Sequence, residues 1–133
     1  MIIKNSDLGL LILRLSTGML MLFHGIAKLN GITFIETMLS EKGLPAFLSY
    51  GVYITEILAP ILIIVGYKVR LASLTYAFGV IFAILLVHSA DIFTLNQYGG
   101  WGIELLGLYL FSSVTLIFTG AGKYAISSKN QWD

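Results

Sequence analysis

The sequence predicts an all-α integral membrane protein, a bundle of four transmembrane helices in a single domain over residues 1–133. Hydrophobic residues make up 57% of the chain and charged residues 11%, with a mean hydropathy of +0.88. Soluble domains contain about 25% charged residues, so the composition excludes a soluble protein. About 20 apolar residues cross a hydrocarbon core of about 30 Å. Four stretches have about that length: 8–29, 46–67, 71–90 and 101–119.

In the first span, residues 8–29, Arg14 interrupts the apolar run. A secretory signal peptide has an uninterrupted apolar region followed by a small-residue cleavage site, so we expect a retained helix. The second span, 46–67, follows Pro45, whose missing N–H suits the first turn of a helix. The fourth span, 101–119, follows a glycine-rich stretch that we expect to be a flexible connection.

Apolar residues recur at helical spacing between the first two spans. They are Ile32, Ile35, Met38 and Leu39, while acidic and basic residues take the other face. This pattern is typical of a short amphipathic helix lying in the membrane interface, here over residues 32–42. An irregular loop is the alternative.

The distribution of Lys and Arg predicts the orientation in the membrane. Four spans place both termini and the turn before the third span, 71–90, on one side. That side carries Lys4, Lys68, Arg70, Lys123 and Lys129, against Lys28 and Lys42 on the other. We therefore expect both termini in the cytoplasm. The net charge is +1 and no long basic run is present, so no nucleic-acid partner is predicted.

Three of the spans each have one helical face that is rich in polar residues. The residues on these faces are Arg14, Thr17, Met21, His24 and Lys28 in the first span, Ser49, Tyr53, Glu56 and Pro60 in the second, and Glu104, Leu108, Ser112, Thr115 and Thr119 in the fourth. Side chains three or four residues apart lie on the same side of a helix. A charge at bilayer depth costs about 2.5 to 3.5 kcal/mol, so we expect these faces to meet inside the bundle.

The helical rise of about 1.5 Å per residue places these groups at two depths. Arg14 lies roughly 9 Å above the cytoplasmic end of the first span, and Glu56 lies roughly 16 Å above the cytoplasmic end of the second. We therefore predict that the two pair near mid-membrane. Four further titratable residues come near the outer ends of their spans and predict an outer pocket: His24, Lys28, His88 and Glu104.

Each of these residues also has a structural interpretation. Arg14 and Glu56 can form an ion pair that only fixes helix register, and Lys28 can extend to the membrane interface. His88 lies close enough in sequence to an acidic residue for a local cap at its helix end. Glu104 lies in a first helical turn, where a carboxylate is favoured by the unpaired N–H groups.

Two imidazoles beside a carboxylate suit proton exchange near neutral pH, since the unperturbed histidine pKa is about 6.5. We therefore predict proton-coupled chemistry on the carbonyl oxygens of a quinone, with His24, His88 and Glu104 as the exchanging groups. Tyr53 and Trp101 belong to a concentration of aromatic residues in the outer half, where a flat ring could stack. A membrane-interface belt is the other interpretation. Neither haem nor a metal is predicted, and the chain has no cysteine for a dithiol relay.

One predicted helix combines Arg14 with a His-Gly-x-x-Lys motif that runs from His24 to Lys28. Further features are Gly43-Leu44-Pro45, the stretch from Glu56 to Pro60, Arg70, His88, the glycine-rich approach to Glu104 and the closing segment 120–124. With these features the chain resembles the DoxX family of small four-helix membrane proteins. The resemblance covers nearly the whole sequence.

The resemblance implies a bundle in the cytoplasmic (inner) membrane of a prokaryote, in a family associated with redox processes. One branch, DoxD, is a subunit of thiosulfate:quinone oxidoreductase. The expected function is that of a membrane subunit that binds quinone and supports proton-coupled electron transfer, with electrons from a partner oxidoreductase subunit. The expected ligand-binding residues are Lys28, Arg14, Glu56, Tyr53 and Trp101. Membrane lipid and a second copy of the chain are further expected partners. A small proton-coupled transporter and a non-catalytic scaffold are the alternatives.

Overall fold

The computed structural model describes residues 4–133, so residues 1–3 of the predicted domain lie outside the described part. Every regular element from residue 4 to residue 133 is helical, and the one extended pairing there is an isolated bridge between Leu95 and Trp101. The predicted all-α class is confirmed.

Four long helices and one short helix form the fold. They are α1 (Ser6–Ala27), α2 (Thr33–Glu41), α3 (Ala46–Val65), α4 (Val69–Val87) and α5 (Glu104–Thr119). α1 with the helical turn that follows it, α3 and α4 are each long and apolar enough to cross a membrane. α5 is apolar and has 16 residues, a rise of about 24 Å. The chain is a multi-pass membrane protein built as a helical bundle.

α3 is irregular along its length. A 3₁₀ segment, Ala46–Tyr50, and one α-helical turn lead into a π-helical segment, Ile54–Leu58, before the α-helix resumes at Ala59–Val65. Pro60 has no N–H to donate to the carbonyl of Glu56, four residues earlier. The π-helical segment therefore coincides with a missing helical hydrogen bond, and Glu56 lies within this segment.

The loop between α4 and α5 is ordered, so the expectation of a flexible connection is wrong. Asn96 N–H donates to the Gly100 carbonyl at 2.7 Å, and its side-chain oxygen accepts from the N–H groups of Tyr98 and Gly100 at 2.9 and 3.0 Å. The Trp101 indole N–H donates to the Ile92 carbonyl at 2.6 Å. The Gly102 N–H also donates back to the loop, to the Thr94 carbonyl at 2.9 Å, and α5 begins at Glu104 and not at residue 101.

The buried face of α5 differs from the predicted polar face. The buried residues are Gly107, Tyr109, Ser113 and Leu116, whereas Leu108 is 62% exposed. The hydroxyls of Thr115 and Thr119 donate to carbonyls of their own helix, at 2.8 and 2.9 Å. Since these hydroxyls are satisfied locally, they do not need the bundle interior.

Both ends of the described chain lie at the same end of the bundle. Lys123 N–H donates to the Asp7 carboxylate at 3.0 Å. The N–H groups of Ile126 and Ser127 donate to carbonyls at the end of α3 and in the turn that follows it, at 3.2 and 3.0 Å. We call this the inner end. That it faces the cytoplasm stays a prediction from the charge distribution.

Candidate functional site

A cavity of about 830 Å³ lies in the half of the bundle farthest from the inner end. Six of the predicted site residues line it: His24, Lys28, Glu56, His88, Trp101 and Glu104. They come from α1 and the turn after it, α3, the end of α4, the ordered loop and α5. The remaining wall is mainly apolar. Phe34, Phe78 and Leu105 line the cavity and are each more than half exposed, at 62%, 65% and 51%, so its rim reaches the outer surface of the bundle.

Lys28 and Glu56 form an ion pair in the cavity wall. The Lys28 ammonium donates to both carboxylate oxygens of Glu56. Glu56 is the more enclosed partner, with a side-chain exposure of 13% against 32% for Lys28. Each charge offsets the cost of desolvating the other, and the pair places a cation and an anion at one point of an apolar wall.

Close helix contact holds this pair in place. A side chain at Gly25 in α1 would overlap the backbone carbonyl of Glu56 in α3. The glycine lets the two backbones approach at the level of the π-helical segment, three residues before Lys28. In the His-Gly-x-x-Lys motif, the glycine therefore allows the two helices to pack closely, and His24 and Lys28 supply polar groups to the cavity.

The predicted pairing of Arg14 with Glu56 is wrong. Arg14 is 1% exposed, and its guanidinium donates to four backbone carbonyls at 2.7 to 3.0 Å: Ile63, Ile64, Ala121 and Tyr124. Helix ends leave carbonyls without helical partners, and a guanidinium carries five N–H donors. Arg14 therefore ties the end of α3 to the segment after α5, and it does not line the cavity.

Tyr53 also lies outside the cavity lining. Its hydroxyl donates to the Lys28 carbonyl at 3.2 Å. This bond fixes the backbone of the residue whose ammonium meets Glu56. The geometry gives Tyr53 a positioning role, not the ligand contact that the sequence predicted.

His88 and Glu104 lie at the outer mouth of the cavity, and both have the local structural roles that the sequence left open. His88 caps α4, with its Nδ1 3.5 Å from a carboxylate oxygen of Asp91. Glu104 is the first residue of α5, where the helix dipole favours a carboxylate. Its side chain lies against Gly100, where a Cβ would meet it. Both residues nevertheless line the cavity.

Two tyrosines in the cavity wall, on the side nearer the inner end of the bundle, were not predicted as site residues. Tyr76 in α4 and Tyr109 in α5 line it, with ring centroids 6.2 Å apart and edge-on. Tyr109 is also edge-on to His24, at 6.2 Å. The sequence signal that could have identified them is a tyrosine in the middle of an apolar span, because a buried hydroxyl needs a hydrogen-bond partner. Within residues 4–133, no group of three His, Cys, Asp or Glu side chains lies close enough to hold a metal ion.

Comparison with known proteins places this arrangement in a family. The DoxX family model matches residues 9–89. A Bacillus subtilis protein named "Putative oxidoreductase CatD" is 29% identical over 118 residues, which cover 89% of this chain and 84% of that protein. No solved structure matches the chain. The matched range contains His24, Lys28, Glu56 and His88. This membrane bundle is a member of the DoxX family.

Proposed function

We propose that this chain is the membrane subunit of a redox system, binds a quinone in the outer cavity and supports proton-coupled electron transfer. We place it in the cytoplasmic membrane of a prokaryote, with both termini in the cytoplasm. One observation carries the proposal. A single apolar-walled cavity brings together His24, His88, Glu104 and the ion pair of Lys28 and Glu56.

The size and the wall of the cavity fit such a ligand. Small-molecule sites have volumes of about 300 to 1,000 Å³ and are mostly apolar, with a few polar groups that orient the ligand. A cavity of about 830 Å³ lies within that range. The Trp101 ring offers a flat surface, and the exposed apolar rim suits a ligand that arrives from the bilayer.

The titratable groups suit proton exchange at two ring oxygens. A quinone that takes up two electrons also takes up two protons, one at each oxygen. The imidazoles of His24 and His88 line the cavity, and His88 Nδ1 lies 3.5 Å from a carboxylate oxygen of Asp91. The Lys28 ammonium places positive charge where negative charge would develop. The electrons come from a partner oxidoreductase subunit, since the chain has no cysteine for a dithiol relay.

Two further lines support a redox role. The chain is 29% identical to a Bacillus subtilis protein whose printed name describes an oxidoreductase. The sequence features that resemble the DoxX family, above all His24 to Lys28, also supply two of the polar groups in the cavity. Membrane lipid and a second copy of the chain are further proposed partners.

The proposal is tested by purifying the protein in mild detergent and analysing its lipid extract for quinone by mass spectrometry. We expect a co-purified quinone and a rise in melting temperature on adding a short-chain quinone. A double variant, His24→Gln with His88→Gln, should fold, accumulate in the membrane and lose most of this rise. Absence of both co-purified quinone and thermal shift in the wild type would contradict the proposal. A folded double variant that keeps the function of the protein in cells would instead favour a scaffold.

A small proton-coupled transporter is a second candidate, and one observation favours it. α3 is broken by a π-helical segment at Glu56, and interrupted helices often form transport sites. α5 has no matching interruption. Solute uptake into proteoliposomes that disappears with Glu56→Gln would support transport. Quinone binding without any uptake would argue against it.

A further inference from the structure

The cavity lining includes a hydroxyl group that has no hydrogen-bond partner in the described part of the chain. Tyr109 is 6% exposed and lines the cavity. Its hydroxyl makes no hydrogen bond within residues 4–133. Three side-chain atoms within residues 4–133 are unpaired and fully enclosed: Arg70 Nε, Ser73 Oγ and Asp133 Oδ1. The hydroxyl oxygen of Tyr109 is not one of them, so it keeps accessible surface. Since the rest of the side chain is buried, that surface opens into the cavity.

The neighbouring tyrosine provides an internal comparison. Tyr76 is fully buried, and its hydroxyl donates to the Thr17 carbonyl at 3.2 Å. The two rings are edge-on with centroids 6.2 Å apart. Buried tyrosine hydroxyls usually have a hydrogen-bond partner. Tyr76 has such a partner in Thr17, and Tyr109 has none among the residues that the structure describes.

We propose that the Tyr109 hydroxyl donates a hydrogen bond to a ring oxygen of the bound ligand. The cavity then selects flat ring compounds that carry a carbonyl or hydroxyl oxygen, with that oxygen beside Tyr109. His24 lies edge-on to Tyr109 at 6.2 Å, so an imidazole is next to the same position. This inference rests on the proposed function, because it names the feature by which the same cavity recognises its ligand.

The arrangement predicts discrimination as well as affinity. A ligand of the same shape that lacks the oxygen would cover the Tyr109 hydroxyl and leave it unpaired. Sites that hydrogen-bond a ligand group reject analogues without that group because the polar atom is then buried without a partner. The matched ligands 2-methyl-1,4-naphthoquinone and 2-methylnaphthalene differ in the two ring oxygens and share the fused ring and its methyl group.

The test measures the dissociation constants of both ligands for the wild type, Tyr109→Phe and the control Tyr67→Phe, purified in detergent. The wild type should prefer the quinone. Tyr109→Phe should bind the quinone about three- to tenfold more weakly and the hydrocarbon unchanged. Tyr67→Phe should bind each ligand as the wild type does, because Tyr67 lies in the turn after α3, at the inner end of the bundle, and is not part of the cavity lining.

The outcomes separate this inference from the proposed function. A wild type that binds neither ligand contradicts the proposed function itself. A wild type that binds both ligands alike overturns the recognition of the ring oxygen by Tyr109. A wild type that prefers the quinone while Tyr109→Phe keeps the full preference overturns the assignment of Tyr109 alone. Equal weakening of both ligands also overturns it, since it indicates lost packing. Tyr109→Met is the second variant without the hydroxyl, and the quinone should lose more affinity than the hydrocarbon there too.

Discussion

The two ends of the bundle use polar side chains in opposite ways. At the inner end Arg14 is 1% exposed, and all three of its nitrogens donate to backbone carbonyls. In the outer half the side chains of His24, Glu104 and Tyr109 line a cavity without a hydrogen bond or ion pair to residues 4–133. A polar group that the protein fully bonds holds the fold together. One that faces a cavity unbonded is available to a ligand.

The largest expected effect is at the inner end. Arg14→Met removes the donor for four carbonyls, of Ile63, Ile64, Ala121 and Tyr124. Each buried acceptor left unpaired costs about 1 to 3 kcal/mol, so leaving even two unpaired lowers the free energy of unfolding by about 2 to 6 kcal/mol. Thermal unfolding in detergent should show a much lower melting temperature, or the variant should fail to accumulate.

Glu104→Gln is the matched control from the outer half. Its carboxylate makes no hydrogen bond within the described residues, so its loss removes only the interaction with the helix dipole and should change the free energy of unfolding by less than about 1 kcal/mol. If the two substitutions destabilise the protein equally, the distinction between a bonded end and an available end is wrong.

The next effect concerns the contact that holds the outer half together. A Cβ at Gly25 would overlap the Glu56 carbonyl, so Gly25→Ala forces α1 away from α3 at the level of the ion pair. Overpacking of this kind costs about 1 to 3 kcal/mol. The melting temperature should fall, and quinone binding should weaken because Lys28 and Glu56 no longer meet.

Gly9→Ala is the control in the same helix. A Cβ at Gly9 meets nothing within 4 Å, and alanine favours a helix over glycine by about 1 kcal/mol. This variant should be as stable as the wild type or more so. A loss of stability at Gly9 equal to that at Gly25 would show that helix propensity, not the contact with α3, sets the outcome.

The smallest effect is a pH dependence confined to the inner end. The Ser127 hydroxyl, together with the N–H groups of Asn130 and Lys129, lowers the pKa of Asp133 below its ordinary 3.8. A depressed folded-state pKa gives stability that is present above the unfolded pKa and is lost as the pH falls through the folded one. Hydrogen exchange of segment 122–133 should therefore accelerate as the pH drops below about 4, beyond the intrinsic change.

Asp133→Asn removes the titrating group and should abolish that acceleration. Exchange in α4, measured in the same samples, should not change with it. A wild-type segment that opens equally at pH 7 and pH 3, after correction for intrinsic exchange, would show that the carboxylate does not hold it.

The sequence was sufficient for the helices because their signal is length and apolarity. It also identified five residues of the cavity lining, His24, Lys28, Glu56, His88 and Glu104, since an ionisable group in an apolar span needs a sheltered position. It failed where the choice of partner depends on helix ends. Depth alone favoured Arg14 with Glu56, but the unpaired carbonyls at the end of α3 and after α5 take the guanidinium, and Lys28 reaches Glu56 instead.

Two other differences have the same origin. Thr115 and Thr119 looked like an inward polar face, yet their hydroxyls bond within α5, and spacing cannot distinguish that from tertiary contact. Tyr109 was missed because a tyrosine in an apolar helix is ordinarily interpreted as a residue of the packed core. Spacing does not distinguish its hydroxyl, which has no hydrogen-bond partner within residues 4–133, from that of Tyr76, which donates to the Thr17 carbonyl.

Photoaffinity labelling with an azidoquinone tests the central claim most directly, because it reports where in the bundle the ligand binds. After illumination and digestion, mass spectrometry should locate the label on peptides that contain His24, Trp101 or Tyr109, and excess unlabelled quinone should prevent the labelling. The peptide 121–133, at the inner end, should remain unlabelled. Label spread over lipid-facing residues of all four long helices, and insensitive to competing quinone, would contradict a quinone site in the outer cavity.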